Sequence, residues 1–133
     1  MEELIIEAQL ENLNAVQDFV AEKLESASCP AKLQTQIAIA VEEIFVNIAR
    51  YAYCPETGGA TIRVSADDDV VIEFEDKGKP YNPIKKKDPD TTASAEEREI
   101  GGLGIFMVKK IMDAIEYKRI GNKNILTIKK RLA

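Results

Sequence analysis

The stretch VEEIFVNIARYAY, residues 41–53, obeys two helical periodicities at once. The apolar residues Ile37, Val41, Ile44 and Ile48 recur at the spacing of one helix face, and so do Glu43, Asn47 and Arg50. Residues three and four apart lie above one another on an α-helix. On a wheel the two stripes stand roughly 130° apart. A helix built this way lays one side on a core. Its other side aligns a carboxylate, an amide and a guanidinium.

Around that helix the chain alternates simple patterns. Residues 4–10 (LIIEAQL) form a β-prone run, the first expected strand. Asn12 or Asn14 offers a cap for a helix continuing through Ala15, Val16, Phe19, Val20 and Leu24, and SASCP stops it. Pro30 suits the first turn of the next helix, expected over residues 30–53, and PETGG breaks the chain after it. ATIRVSA (60–66) and VVIEFE (70–75) alternate as strands around the turn Asp67, Asp68 and Asp69, the pattern expected of an antiparallel hairpin. DKGKPYNP is a loop. Residues 85–99 have almost no apolar side chains, and a long segment of that kind reads as a lid or binding loop. The final helix is expected to carry Ile105, Val108, Met112 and Ile115 on one stripe. Residues 116–119 and 124–131 make a last hairpin around Gly121 and Asn122. The order β, α, α, β, β, lid, α, β, β predicts an α+β two-layer sandwich, with a mixed, mostly antiparallel sheet and helices on one face.

The 133 residues suit one domain, residues 1–133, with the lid at about 81–100. A net charge of −5 argues against a protein whose main task is gripping nucleic acid. With no histidine, and with Cys29 and Cys54 lacking metal-type spacing, a zinc site or a histidine general base is disfavoured. Both cysteines read as reduced thiols. No apolar run is long enough to span a bilayer and no signal-peptide core is present, so a cytoplasmic location without membrane contact is expected.

Three separated signals carry chemistry. The Glu43, Asn47 and Arg50 stripe supplies a group that takes a proton, a hard amide oxygen suited to Mg²⁺, and a cation for phosphate. The turn of Asp76 and Gly78 follows a strand; Asp76 can accept from an exocyclic amine, and glycine permits close approach of a ligand. Gly101, Gly102, Leu103 and Gly104 enter a helix, whose free N–H groups and dipole suit phosphate. No GK[ST] follows them and no βαβ unit surrounds them, so this is neither a Walker loop nor a Rossmann turn. Each signal alone also fits a solvated helix face, a plain turn or a flexible joint. Their joint order and spacing is far more specific.

That joint pattern resembles the GHKL ATPases. The stretches EEIFVNIARYAY, EFEDKGKPYNP and GGLGIFMVKKIMDAIEYKRIGNKNILTIKKRL resemble the small bacterial branch of anti-sigma-factor serine/threonine kinases. The resemblance runs from residue 31 to the end and implies the Bergerat ATP-binding fold. It implies Asn47 as ligand to a Mg²⁺ shared with ATP, Glu43 as the general base, and Asp76 as acceptor for the adenine amine. Gly78 would let the adenine ring sit close, and Gly101, Gly102, Leu103 and Gly104 would form the phosphate turn and lid hinge. Thr127 would place a hydroxyl near the adenine–Asp76 pair, and Arg50 a charge near phosphate. Lys85, Lys86, Lys87 or Arg98 would supply a lid cation. Tyr51 and Ile44 depart from the residues often found at their positions in the family.

By resemblance, the expected activity is ATP-dependent phosphorylation of a Ser or Thr on a STAS-type anti-sigma-factor antagonist. A homodimer and a bound sigma factor are further expectations. Two alternatives stay open: a non-catalytic nucleotide-dependent binding switch, and a detached histidine-kinase catalytic domain. Glu43 favours the kinase over the pure switch, since a binder needs no base.

Overall fold

The computed structural model describes residues 1–53, 56–85 and 102–132. Strand β1 (Glu2–Glu7) leads through a 3-10 turn to helix α1 (Leu13–Ser26), and α2 (Ala31–Asn47) follows. Next come β2 (Gly59–Ala66), β3 (Asp69–Asp76), a 3-10 turn at Pro83–Lys85, α3 (Gly102–Ile111), β4 (Ala114–Ile120) and β5 (Lys123–Arg131). The five strands form one sheet in the order β1-β2-β3-β5-β4. Every ladder is antiparallel, so the sheet expected to be mixed contains no parallel pair among the described residues. The α+β expectation stands, with the helices on one face.

Strand alternation decides which side chains meet the helices. Ala60, Ile62 and Val64 on β2, Val70, Ile72 and Phe74 on β3, and Leu126 and Ile128 on β5 are buried. Against them pack Val16, Val20 and Leu24 of α1 and Ile37, Ala40, Val41, Ile44 and Phe45 of α2. The apolar stripe anticipated on α2 is therefore the core stripe, widened by Ala40 and Phe45. Ile5, on the other face of β1, is 73% exposed, because no second layer covers that side among the described residues. There Arg63 joins Glu3 and Glu75 through contacts of 3.1 and 3.2 Å.

Local chemistry sets the element ends. At the end of α1, Cys29 N–H bonds back to the Leu24 carbonyl at 3.0 Å and Ser28 takes a left-handed φ of 57°. This is the geometry of a Schellman C-terminus, which usually recruits glycine. Pro30 precedes the first residue of α2, and its carbonyl accepts from Gln34 N–H at 3.0 Å. The helix expected to run through residue 53 changes pitch after Asn47, and Ile48–Ala52 form a π-helical turn. The closing helix ends at Ile111, whose carbonyl accepts from Lys130 Nζ at 2.7 Å. Ile115, expected on that helix, sits instead on β4 opposite Ile128. The backbone leaves the helix at Asp113, whose N–H bonds to Lys129 O at 2.9 Å and whose Oδ2 accepts Arg131 N–H at 2.7 Å.

Candidate functional site

Helix α2 and its π-helical extension are the hub that joins the three motif segments. Glu43 faces α3: a Cβ built on Gly104 would overlap the Glu43 carboxylate, with Cδ only 2.6 Å away. Two segments sixty-one residues apart (104 − 43 = 61) thus meet because position 104 has no side chain. Burial raises the Glu43 pKa above the usual carboxylate range, and the neighbouring Glu42 charge pushes it the same way. The charge of Arg50 pulls it back down, so the π-helical turn keeps Arg50 within electrostatic reach of Glu43. Single π turns inside helices are frequent at functional sites.

One turn beyond Glu43, Asn47 is half-buried, and its amide has no hydrogen-bond partner among the described residues. One free amide oxygen fits Mg²⁺, which keeps several waters and binds few protein ligands alongside phosphate oxygens. No cluster of three or more His, Cys, Asp or Glu suited to a metal occurs among the described residues.

The other end of the hub meets the loop after β3. Lys79 N–H donates to the Ala52 carbonyl at 3.0 Å, and a Cβ on Gly78 would lie 2.6 Å from the Ala52 carbonyl carbon. The absence of a side chain at Gly78 is thus demanded by the π-helical turn beneath it. Tyr53 clamps the same junction: its hydroxyl accepts Lys77 N–H at 2.7 Å and donates to Gly59 O at 2.6 Å. Burial raises the Tyr53 pKa, which favours the donating hydroxyl.

Asp76 ends β3 on the helix-facing side and is only 6% exposed. Its Oδ1 accepts Gly78 N–H and Asn124 Nδ2–H, each at 2.9 Å. Its Oδ2 has no hydrogen-bond partner among the described residues. A buried carboxylate oxygen left without a donor is costly, and it marks where a ligand donor fits.

The sheet register corrects one expectation. Asp76 pairs with Asn124, whereas Thr127 pairs with Glu73. Three residues along a strand reverse the face, so Thr127 points away from the helices and from Asp76. Asn124, buried at 6% exposure, occupies the position expected of the hydroxyl. The sequence reading missed it, together with Tyr117, whose hydroxyl donates to Asn124 Oδ1, and Arg119, which donates to Gly78 O at 2.8 Å. Parity with Asp76 across the β3–β5 ladder was the signal that could have found Asn124. Gly102, Leu103 and Gly104 open α3 as expected. Gly101, Lys86, Lys87, Arg98 and most of the expected lid lie outside the described residues, as does Cys54. Lys85 closes the 3-10 turn.

An antiparallel sheet backed on one face by helices, with the loop of a strand-end aspartate and a glycine helix start both resting on one polar helix, defines a two-layer α+β domain. The chain belongs to the histidine kinase-like ATPase domain family, which matches residues 6–130. It is 27% identical over 101 residues to the serine/threonine-protein kinase BtrW of Bordetella bronchiseptica, covering 74% of this chain and 70% of that one. Its fold is similar to the RsbU and RsbW domains of Rv1364c from Mycobacterium tuberculosis, with a TM-score of 0.65 at 14% identity. That match covers 99% of this chain and 33% of the other. It is also similar to the histidine kinase domain of a blue-light activated histidine kinase from Erythrobacter litoralis, with a TM-score of 0.55 at 20% identity. There it covers 77% of this chain and 46% of the other. The chain therefore spans a third to a half of those two structures. No helix among the described residues is long and apolar enough to cross a membrane.

Proposed function

We propose that this chain is an ATP-dependent protein kinase that phosphorylates a Ser or Thr of a STAS-type antagonist in a partner-switching system. The reading extends to a sigma factor as a second partner and to a homodimer. The observation that carries it is the Glu43 carboxylate, raised in pKa and pressed against Gly104 at the start of α3, one turn before Asn47, whose amide has no hydrogen-bond partner among the described residues. The similarity to a protein named a serine/threonine kinase supports the choice of acceptor.

Phosphoryl transfer depends on positioning and charge neutralisation more than on covalent steps. Glu43 takes the proton of the attacking hydroxyl as the new oxygen–phosphorus bond forms and the bond to the leaving ADP oxygen breaks. A carboxylate whose pKa is raised above its ordinary value is a stronger base than an ordinary one. Asp76 Oδ2 receives the adenine amine. The amide groups at the start of α3 and the Arg50 guanidinium face negative charge. Asn47 would hold Mg²⁺, which neutralises phosphate charge when bound.

The test is incubation with labelled ATP and the STAS-type protein encoded nearest the gene. Phosphoserine or phosphothreonine on that protein supports the kinase. Nucleotide binding without label supports a switch, and phosphohistidine on another protein supports a detached histidine-kinase domain.

A further inference from the structure

The hairpin of β4 and β5 carries an apparatus that the phosphate chemistry does not use. Asn124 spends its whole amide internally. One Nδ2 hydrogen goes to Asp76 Oδ1 at 2.9 Å and the other to Lys79 O at 2.8 Å, while Oδ1 accepts the Tyr117 hydroxyl. The opposite amide orientation would turn its oxygen onto the Asp76 carboxylate and the Lys79 carbonyl, two acceptors. Tyr117 gives up its hydroxyl hydrogen to Asn124 Oδ1 and so fixes the orientation from behind. The loop itself is pinned from three other directions, by Arg119 on Gly78 O, Ala52 O on Lys79 N–H and Tyr53 on Lys77 N–H.

We infer that Tyr117 and Asn124 are positioning residues that set base selectivity, an inference resting on the nucleotide reading above. With Oδ1 held by two donors, Asp76 can offer a base only Oδ2, an acceptor in one fixed direction. Adenine places an amine donor on this edge, and guanine places a carbonyl acceptor there. Because both Asn124 hydrogens point inward, the amide has none left to soften that mismatch. The pair therefore acts on the ligand only through Asp76. It raises affinity for an amino-bearing purine nucleotide and penalises an oxo-bearing one.

The experiment measures ATP and GTP binding to the whole chain by calorimetry, alongside thermal stability, for wild type, Asn124→Ala, Tyr117→Phe and the double variant. Wild type should prefer ATP. Asn124→Ala should lower the ATP-to-GTP affinity ratio roughly tenfold, the scale of one hydrogen bond to a charged group. Tyr117→Phe removes a single oxygen and keeps the ring in place. It should shift the ratio in the same direction by a few-fold, and have no further effect in the Asn124→Ala background, since it acts through that amide. A ratio unchanged in both variants, with only stability reduced, would overturn the inference and leave the pair a structural brace. Wild type that binds neither nucleotide would overturn the nucleotide reading itself, a separate failure visible before any variant is made.

Discussion

Gly104 and Glu43 share one small volume: the side chain that position 104 lacks is the space the carboxylate of Glu43 fills. What a methyl group there would meet is the far end of a flexible side chain and not backbone. Gly104→Ala should therefore leave the fold standing and move the glutamate head. Alanine is the better helix former by about 1 kcal/mol, so the melting temperature should not fall. A catalytic group displaced by about 1 Å costs on the order of 10²-fold. Phosphoryl transfer should drop by that much or more while nucleotide binding persists. Transfer at the wild-type rate in a folded variant would show that Glu43 is not the base.

Glu43→Gln separates proton chemistry from packing. Removing a general base costs about 10²- to 10⁴-fold in rate. Stability should move the other way. The folded state holds the Glu43 pKa above its ordinary value, chiefly by burial. A carboxyl so shifted contributes stability fully below the ordinary carboxylate range and loses it as pH rises through the folded pKa. Above the folded pKa the ionised Glu43 is thus a standing cost that Glu43→Gln removes. Melting curves should show the variant at or above wild type at pH 7, with the difference vanishing in acid. The acidic limb of kcat/KM for wild type should sit above the ordinary carboxylate range. A limb at or below that range would contradict the burial seen at this residue.

Local periodicity made most of the frame legible. The hairpin turns at Asp67–Asp69 and Gly121–Asn122, the core stripe of α2 and the glycine entry to α3 are written in short stretches, and the structure places each of them. The misplaced residues all depend on something a short stretch does not contain. Ile115 suits a helix stripe and a strand equally well. Its strand state is chosen by Asp113 and Lys130, which bond across to the ends of β5 and α3. Thr127 and Asn124 both sit on β5, and only the long-range pairing with β3 decides which of them faces Asp76. The π-helical turn likewise depends on the contact between Ala52 and the Gly78 loop, twenty-six residues later (78 − 52 = 26).

That contact makes Gly78→Ala a test of the hub. The new methyl would meet the backbone of Ala52, which cannot swing aside as a side chain does. Overpacking of this kind costs about 1–3 kcal/mol. The denaturation midpoint should fall accordingly, and nucleotide affinity should fall with it as the Asp76 loop lifts. A midpoint matching wild type would mean the loop does not rest on the π-helical turn.

At the α1–α2 corner, Ser28 holds a φ of 57° that glycine adopts without a Cβ clash. The left-handed penalty for an L-residue is roughly 1–2 kcal/mol, and glycine returns part of it by loosening the unfolded chain. Ser28→Gly should raise stability by roughly 0.5–1 kcal/mol without changing nucleotide binding, since the corner makes no contact with Asp76, Glu43 or Gly104 among the described residues. Chemical denaturation showing no gain would argue that Ser28 is not in the left-handed region.

Asp76→Asn gives the sharpest reading of the pocket itself. The two donors on Oδ1, Gly78 N–H and Asn124 Nδ2–H, require an acceptor on that side of the new amide. Its NH₂ must therefore turn to where Oδ2 was. The fold keeps both internal bonds, so stability should change little. The group presented to a base switches from acceptor to donor, which opposes an amine and suits a carbonyl. Adenine nucleotide affinity should fall about 10- to 100-fold, and the relative affinity for GTP should rise. Calorimetric titration with ADP and GDP reads both at once. Equal losses for the two nucleotides would indicate that Asp76 supports the pocket without reading the base, and undiminished ADP binding would place the base elsewhere.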